Sequence, residues 1–148
     1  MTTIYPILQH AHSGLRWLLL LFLVLSVVYA YSNWMAKKPF WESHKKVALL
    51  GLIFTHLQIV IGFILYAISP KVIFAAASMK DSVTRFFLVE HLTGMVIGAI
   101  LITIGYAKAK RGSAETSAKN VFIYYGIGLL LILATIPWPF RGLGTGWF

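Results

Sequence analysis

The chain has 148 residues, 59% hydrophobic and 11% charged. An average soluble domain carries roughly twice that share of charge, so soluble catalysis is excluded. The absence of cysteine removes disulfides, thiolate metal sites and covalent c-type haem attachment. The net charge of +9 lies in the connections between apolar runs, which marks membrane topology rather than a nucleic-acid partner.

The first apolar run, Ser13–Trp34, implies a helix over about 5–36, long enough for the roughly twenty residues that a bilayer core requires. No basic residue precedes Arg16, so this run reads as a retained helix rather than a secretory leader. Gln9, His12 and Arg16 share one stripe, continued by Ser26, Ala30 and Asn33. An arginine at this depth must face protein, water or an anion, so the stripe points inward and takes His12 with it. His10 lies about 160° around the helix from His12 and is expected at the interface.

The second run, Ala48–Ile68, implies a helix over about 44–69 whose small and polar stripe is Gly51, Thr55, Gln58 and Gly62. His56 sits off that stripe near the mid-plane, where an imidazole should not face lipid unpaired. His44, beside Lys45 and Lys46, reads as a solvated loop residue. An outer loop at Ser69–Thr84, expected to carry a short surface helix, leads to the third run, Phe86–Ala107, with a helix over about 83–109. There His91, Gly94, Gly98 and Gly105 fall within about 60° of one another. Such a stripe either admits another helix closely or forms a groove in which a flat porphyrin lies beside an imidazole. The fourth run, Val121–Trp138, implies a helix over about 118–138, stopped by Pro137 and Pro139. The tail with Arg141 and three glycines reads as an interfacial anchor or a docking element. Tyr5, Trp138 and Trp147 fit an aromatic belt at the same side.

Short connections favour sequential antiparallel packing. The expected architecture is an all-α, membrane-embedded antiparallel four-helix bundle forming one domain over 1–148. Lys37, Lys38, Lys45 and Lys46 in the first connection, with Lys108, Lys110, Arg111 and Lys119 in the third, mark the cytoplasmic side, which puts both termini outside.

Two histidine pairings are open. His91 belongs to both, and its partner is His12 in an outer site or His56 in a central one. Side chains lean toward the N-terminus of their own helix, which carries His12 and His91 outward together and His56 inward, and so favours His12. Arg16, one turn deeper than His12, is a candidate partner for a haem propionate, as are Arg85 and Arg141; Glu90 or backbone carbonyls are the alternative partners of Arg16. Gly94 and Gly98 would line the porphyrin.

The stretch Leu57–Tyr66, an outer loop, and "FFLVEHLTGMVIGAILITIGYAKAKR" resemble one half of heme A synthase, in which a helix entering from outside begins with a glutamate and a haem-ligating histidine. "HAHSGLRWLLLLFLVL" is similar to that family's other ligand helix. Glu90 directly precedes His91 here, whereas two residues normally separate that pair, and the second half of the enzyme is absent. The resemblance therefore implies haem binding by His12 and His91 and not that family's oxygenase-like chemistry. Across all four helices, "HSGLRW", "THLQIVIGFILY", "VEH" and "IPWPFRGLGTGWF" resemble small four-helix proteins of Bacteroidetes type labelled cytochrome b.

The expected function is a multi-pass b-type cytochrome of the bacterial inner membrane, holding haem b non-covalently and serving as an electron-transfer subunit rather than a free-standing enzyme. The bilayer, membrane partner subunits and a quinone are its expected partners. A haem-free assembly subunit and a transporter with a Glu90, His91 and Arg16 proton relay are the alternatives.

Overall fold

The computed structural model describes residues 4–148. Four long helices, α1 (Ile4–Met35), α2 (Phe40–Ile68), α3 (Ser82–Arg111) and α4 (Ala114–Thr135), are each long and apolar enough to cross a membrane. This is the architecture of a multi-pass membrane protein. No strand occurs among the described residues. The helices alternate in direction: Tyr5 at the start of α1 meets Ser69 just after α2, and Asn33 near the end of α1 meets His44 near the start of α2. In the same way His91 reaches Thr135, and Ser117 reaches Ala109. Around the bundle α1 packs on α2 and α4, and α3 packs on α4 and α2.

The corners explain where the helices begin. Lys37 takes a left-handed conformation, φ 53°, and Pro39 precedes the first turn of α2. The Asn33 side-chain amide donates to the Pro39 carbonyl at 3.2 Å. Phe40 is fully buried, so α2 starts there and not near residue 44. His44 is consequently helical and half-buried, stacked on Tyr29 with ring centres 4.4 Å apart. That corrects the expectation of a solvated loop residue. At the other corner of the same end, the Ser113 side chain caps α4 by accepting from the Thr116 amide, and the helix starts at Ala114 rather than near 118.

The core runs along the bundle axis through Leu19, Leu23, Ile102, Val121, Tyr125 and Ile132. Leu21, Val28, Val60, Ile100 and Leu130 point outward and are exposed, as acyl-chain contacts require. Tyr125 is fully buried, and its hydroxyl donates to the Ala48 carbonyl of α2 at 2.7 Å. Losing a buried hydrogen bond and leaving its acceptor unpaired costs about 1–2 kcal/mol. Tyr125→Phe is expected to lose that much in reversible unfolding in mixed micelles, whereas an unchanged midpoint would show that the bond adds nothing net.

Candidate functional site

A π-helical turn at Phe86–Glu90 interrupts α3 immediately before His91, whose amide donates to the Phe86 carbonyl. Such a turn widens the helix by one residue and re-aims the side chains at its end, and π turns often mark functional sites. The Tyr66 hydroxyl of α2 donates to the Leu88 carbonyl inside this turn at 3.0 Å. Nothing in the string Phe86–Glu90 announces a π turn, and sequence reading missed it.

His91 and His12 are brought together. Their ring centres are 6.4 Å apart and their planes meet at 77°. His91 Nδ1 lies 2.8 Å from the Thr135 carbonyl. A carbonyl only accepts, so Nδ1 carries the proton and Nε2 keeps its lone pair. This arrangement, one ring nitrogen tied to an acceptor and the other free, is how metal-ligating histidines are oriented. Beside His12, Gly62 leaves room: a Cβ there would stand 3.3 Å from His12 Cε1. The Gln58 side-chain amide donates to the His12 carbonyl at 2.8 Å. His12 Nδ1 and Gln58 Oε1 are both buried without a protein partner.

Both histidines line a partly open cavity between α1, α2, α3 and the tail, with Arg16, Gln58, Tyr66 and Met95 among its walls. It encloses about 140 Å³, near the volume of an apolar cavity that holds one benzene ring. A larger flat ligand held by these histidines must extend through the open side.

Arg16 is 7% exposed. One Nη donates to the Trp147 carbonyl at 2.7 Å, its guanidinium lies over the Trp17 and Trp138 rings, and its Nε is buried without a partner. Glu90 instead pairs with Arg85 at 2.9 Å, both side chains being more than 40% exposed. The Glu90, His91 and Arg16 relay is therefore not assembled. Arg85–Glu90 is the only ion pair among the described residues, so the cation of Arg16 has no carboxylate counterpart.

The tail folds over the mouth of this cavity. Thr145 and Gly146 line it, and Lys71 Nζ donates to the Gly144 carbonyl at 2.6 Å and the Leu143 carbonyl at 3.3 Å. Burial lowers the Lys71 amine below the ordinary lysine value. Gly142 and Gly144 adopt φ of 68° and 65°, the left-handed region that favours glycine. Arg141 donates to the Ala134 and Ile136 carbonyls and so closes the end of α4. Arg141, a candidate for a propionate, thus turns to the end of its own helix, and Lys71 reaches the tail although no periodic pattern around it points there.

The remaining expectations separate from the cavity. Gly94 and Gly98 share the His91 face, yet a Cβ on Gly94 would run into the Thr135 side chain, and one on Gly98 would stand 2.9 Å from Ile132 Cγ1. Gly105 likewise abuts Tyr124. The stripe is a helix-packing seam filled by α4, which corrects the reading of Gly94 and Gly98 as a porphyrin wall. His56 bonds Thr103 at 2.9 Å on the exposed face between α2 and α3, and it does not line the cavity of His12 and His91. His10 is exposed.

No group of three or more histidine or carboxylate side chains converges among the described residues. The described residues thus bring two imidazoles together, His12 and His91, without a complete ligand set from the protein. Comparison with models of protein families, with curated proteins and with solved structures finds no match.

Proposed function

We propose that this chain is a b-type cytochrome of the bacterial inner membrane, with both termini outside, in which His12 and His91 hold haem b as axial ligands. The carrying observation is their separation. The ring centres of His12 and His91 stand 6.4 Å apart, so the two imidazoles could hold one haem together. Packed aromatic rings also span about 4.5–7 Å, so the free Nε2 of His91 adds independent support.

When bound, haem supplies a reversible one-electron couple, and two strong axial ligands leave no open position for oxygen. The Thr135 carbonyl fixes the tautomer and plane of His91. Arg16, buried and without a carboxylate counterpart, offers a cation to a propionate. Leu92, Met95 and Ile132 on the cavity wall exclude water. The chain fits an electron-transfer subunit working with membrane partner proteins better than a free-standing enzyme, since both cavity histidines would be taken up in holding the haem. A haem-free packing subunit is the second reading, favoured by the glycine seam and by the hydrogen bond His91 already makes to Thr135.

The test is stoichiometry. Protein purified from haem-replete cells should release one non-covalent haem b and one iron per chain on acid extraction; neither would be found if the chain is only a packing subunit. Gly62→Val places a branched side chain against His12. It is expected to lower haem occupancy at least tenfold while the helix content in circular dichroism stays unchanged; full occupancy would show that His12 is not held there.

A further inference from the structure

His56 is a second histidine site, on a face of α2 next to the one that lines the cavity. It lines a groove between α2 and α3, formed with Val96, Ala99, Ile100, Thr103 and Ile104. The groove has a volume of about 310 Å³ and an almost wholly apolar lining. His56 and Thr103 are both exposed there, at the level of the acyl chains.

Hydrogen-bond accounting fixes the state of this imidazole. The Thr103 hydroxyl donates to the Ala99 carbonyl at 2.7 Å, so its single proton is committed. His56 Nε2, 2.9 Å from that hydroxyl oxygen, must then be the donor, and its proton sits on Nε2. Nδ1 is left as a bare acceptor with no protein partner. A lone pair facing hydrocarbon is costly, and the group that satisfies it must bring a donor of its own from within the bilayer.

The groove also shares two side chains, Ile59 and Phe63, with the cavity of His12 and His91. A ring lying in it is one layer of side chains away from that cavity. We propose that the groove binds a hydroquinone dissolved in the bilayer, with a ring hydroxyl donating to His56 Nδ1, the ring against Ile100 and Ile104, and the alkyl tail among the lipids. A quinone without its hydroxyl hydrogens offers only acceptors, so the site discriminates for the reduced form. The choice of a redox-active ring over another lipid hydroxyl rests on the haem reading, because it follows from the shared wall.

The test is photolabelling under argon, in phosphatidylglycerol and phosphatidylethanolamine vesicles, with a hydroquinone bearing a diazirine on a short alkyl chain. Label is expected on α2 around His56 and on α3 between Val96 and Ile104, and unlabelled hydroquinone should displace it. The hydroquinone dimethyl ether, which has the same shape and no donor, should compete at least tenfold more weakly. His56→Phe removes the acceptor and Ile100→Trp fills the groove, and each should reduce labelling at least tenfold. Equal competition by the ether, unchanged labelling in both variants, or label replaced by crosslinks between two copies of the chain would overturn the proposal. The visible spectrum of the same samples separates the two readings. Loss of specific labelling in a protein with haem bands overturns only the groove, and specific labelling in a colourless protein overturns only the haem site.

Discussion

His91→Ala is expected to abolish haem binding outright, with no haem band surviving purification, while the protein still extracts as a helical membrane protein. His91 is the one ligand common to every pairing the chain allows, and its Thr135 contact pre-orients the ring. Cavity formation at its half-buried position costs only a moderate amount of stability, so the loss should be chemical rather than a failure to fold. His12→Ala should reduce retained haem at least tenfold and leave a site with one axial position open. His56→Ala should keep full haem occupancy, since its ring faces the outer groove with Thr103. Absorption spectra of the three purified variants check this. Loss of haem in His56→Ala with retention in His12→Ala would refute the pair.

Gly94→Val should carry the largest cost to the fold. A Cβ at Gly94 already overlaps the Thr135 side chain, and Gly98 approaches Ile132 and the Gly128 carbonyl. Two helices must therefore separate, or Thr135 must move and drag the carbonyl that holds His91. Overpacking of a filled interior costs about 1–3 kcal/mol and sometimes more, and this contact lies at the upper end because backbone stands behind the side chain. Gly126 supplies the control on the facing helix: a Cβ there meets nothing within 4 Å. Gly126→Ala should be neutral or stabilising by up to about 1 kcal/mol through helix propensity. Unfolding of both variants in mixed micelles, read by circular dichroism, tests the contrast. Equal midpoints for Gly94→Val and wild type would show that the seam is loose.

Much of the bundle is legible in the sequence because two physical signals are strong in it. Four apolar stretches of bilayer length define the helices, and of the two inward stripes Gly51, Thr55, Gln58 and Arg16, Ser26, Ala30 are buried while Gln9, His12, Asn33 and Gly62 are half-buried. Phase also placed His91, Gly94, Gly98 and Gly105 on one face, but phase cannot say what that face meets. A stripe without side chains suits a porphyrin and a helix equally, and Thr135 and Ile132 of α4 decide it. Side-chain lean favours His12 over His56 as the neighbour of His91, and the two rings lie 6.4 Å apart, although the π turn at Phe86–Glu90 that sets His91 has no compositional signature. The Lys71 and Arg16 contacts to the tail were hidden for a different reason. They end on backbone carbonyls, which any residue supplies, so no side-chain pattern points to them. Helix starts moved to Phe40 and Ala114 because burial of Phe40 and the Ser113 cap outweigh the polar character of those segments.

The claim that His12 and His91 occupy both axial positions of one haem is tested most directly by the visible spectrum of the detergent-purified wild-type protein, recorded after dithionite reduction and again after adding carbon monoxide. Sharp b-type α and Soret bands that carbon monoxide leaves unchanged are the predicted result. A colourless protein from haem-replete cells, or bands that shift at once on adding carbon monoxide, would contradict it.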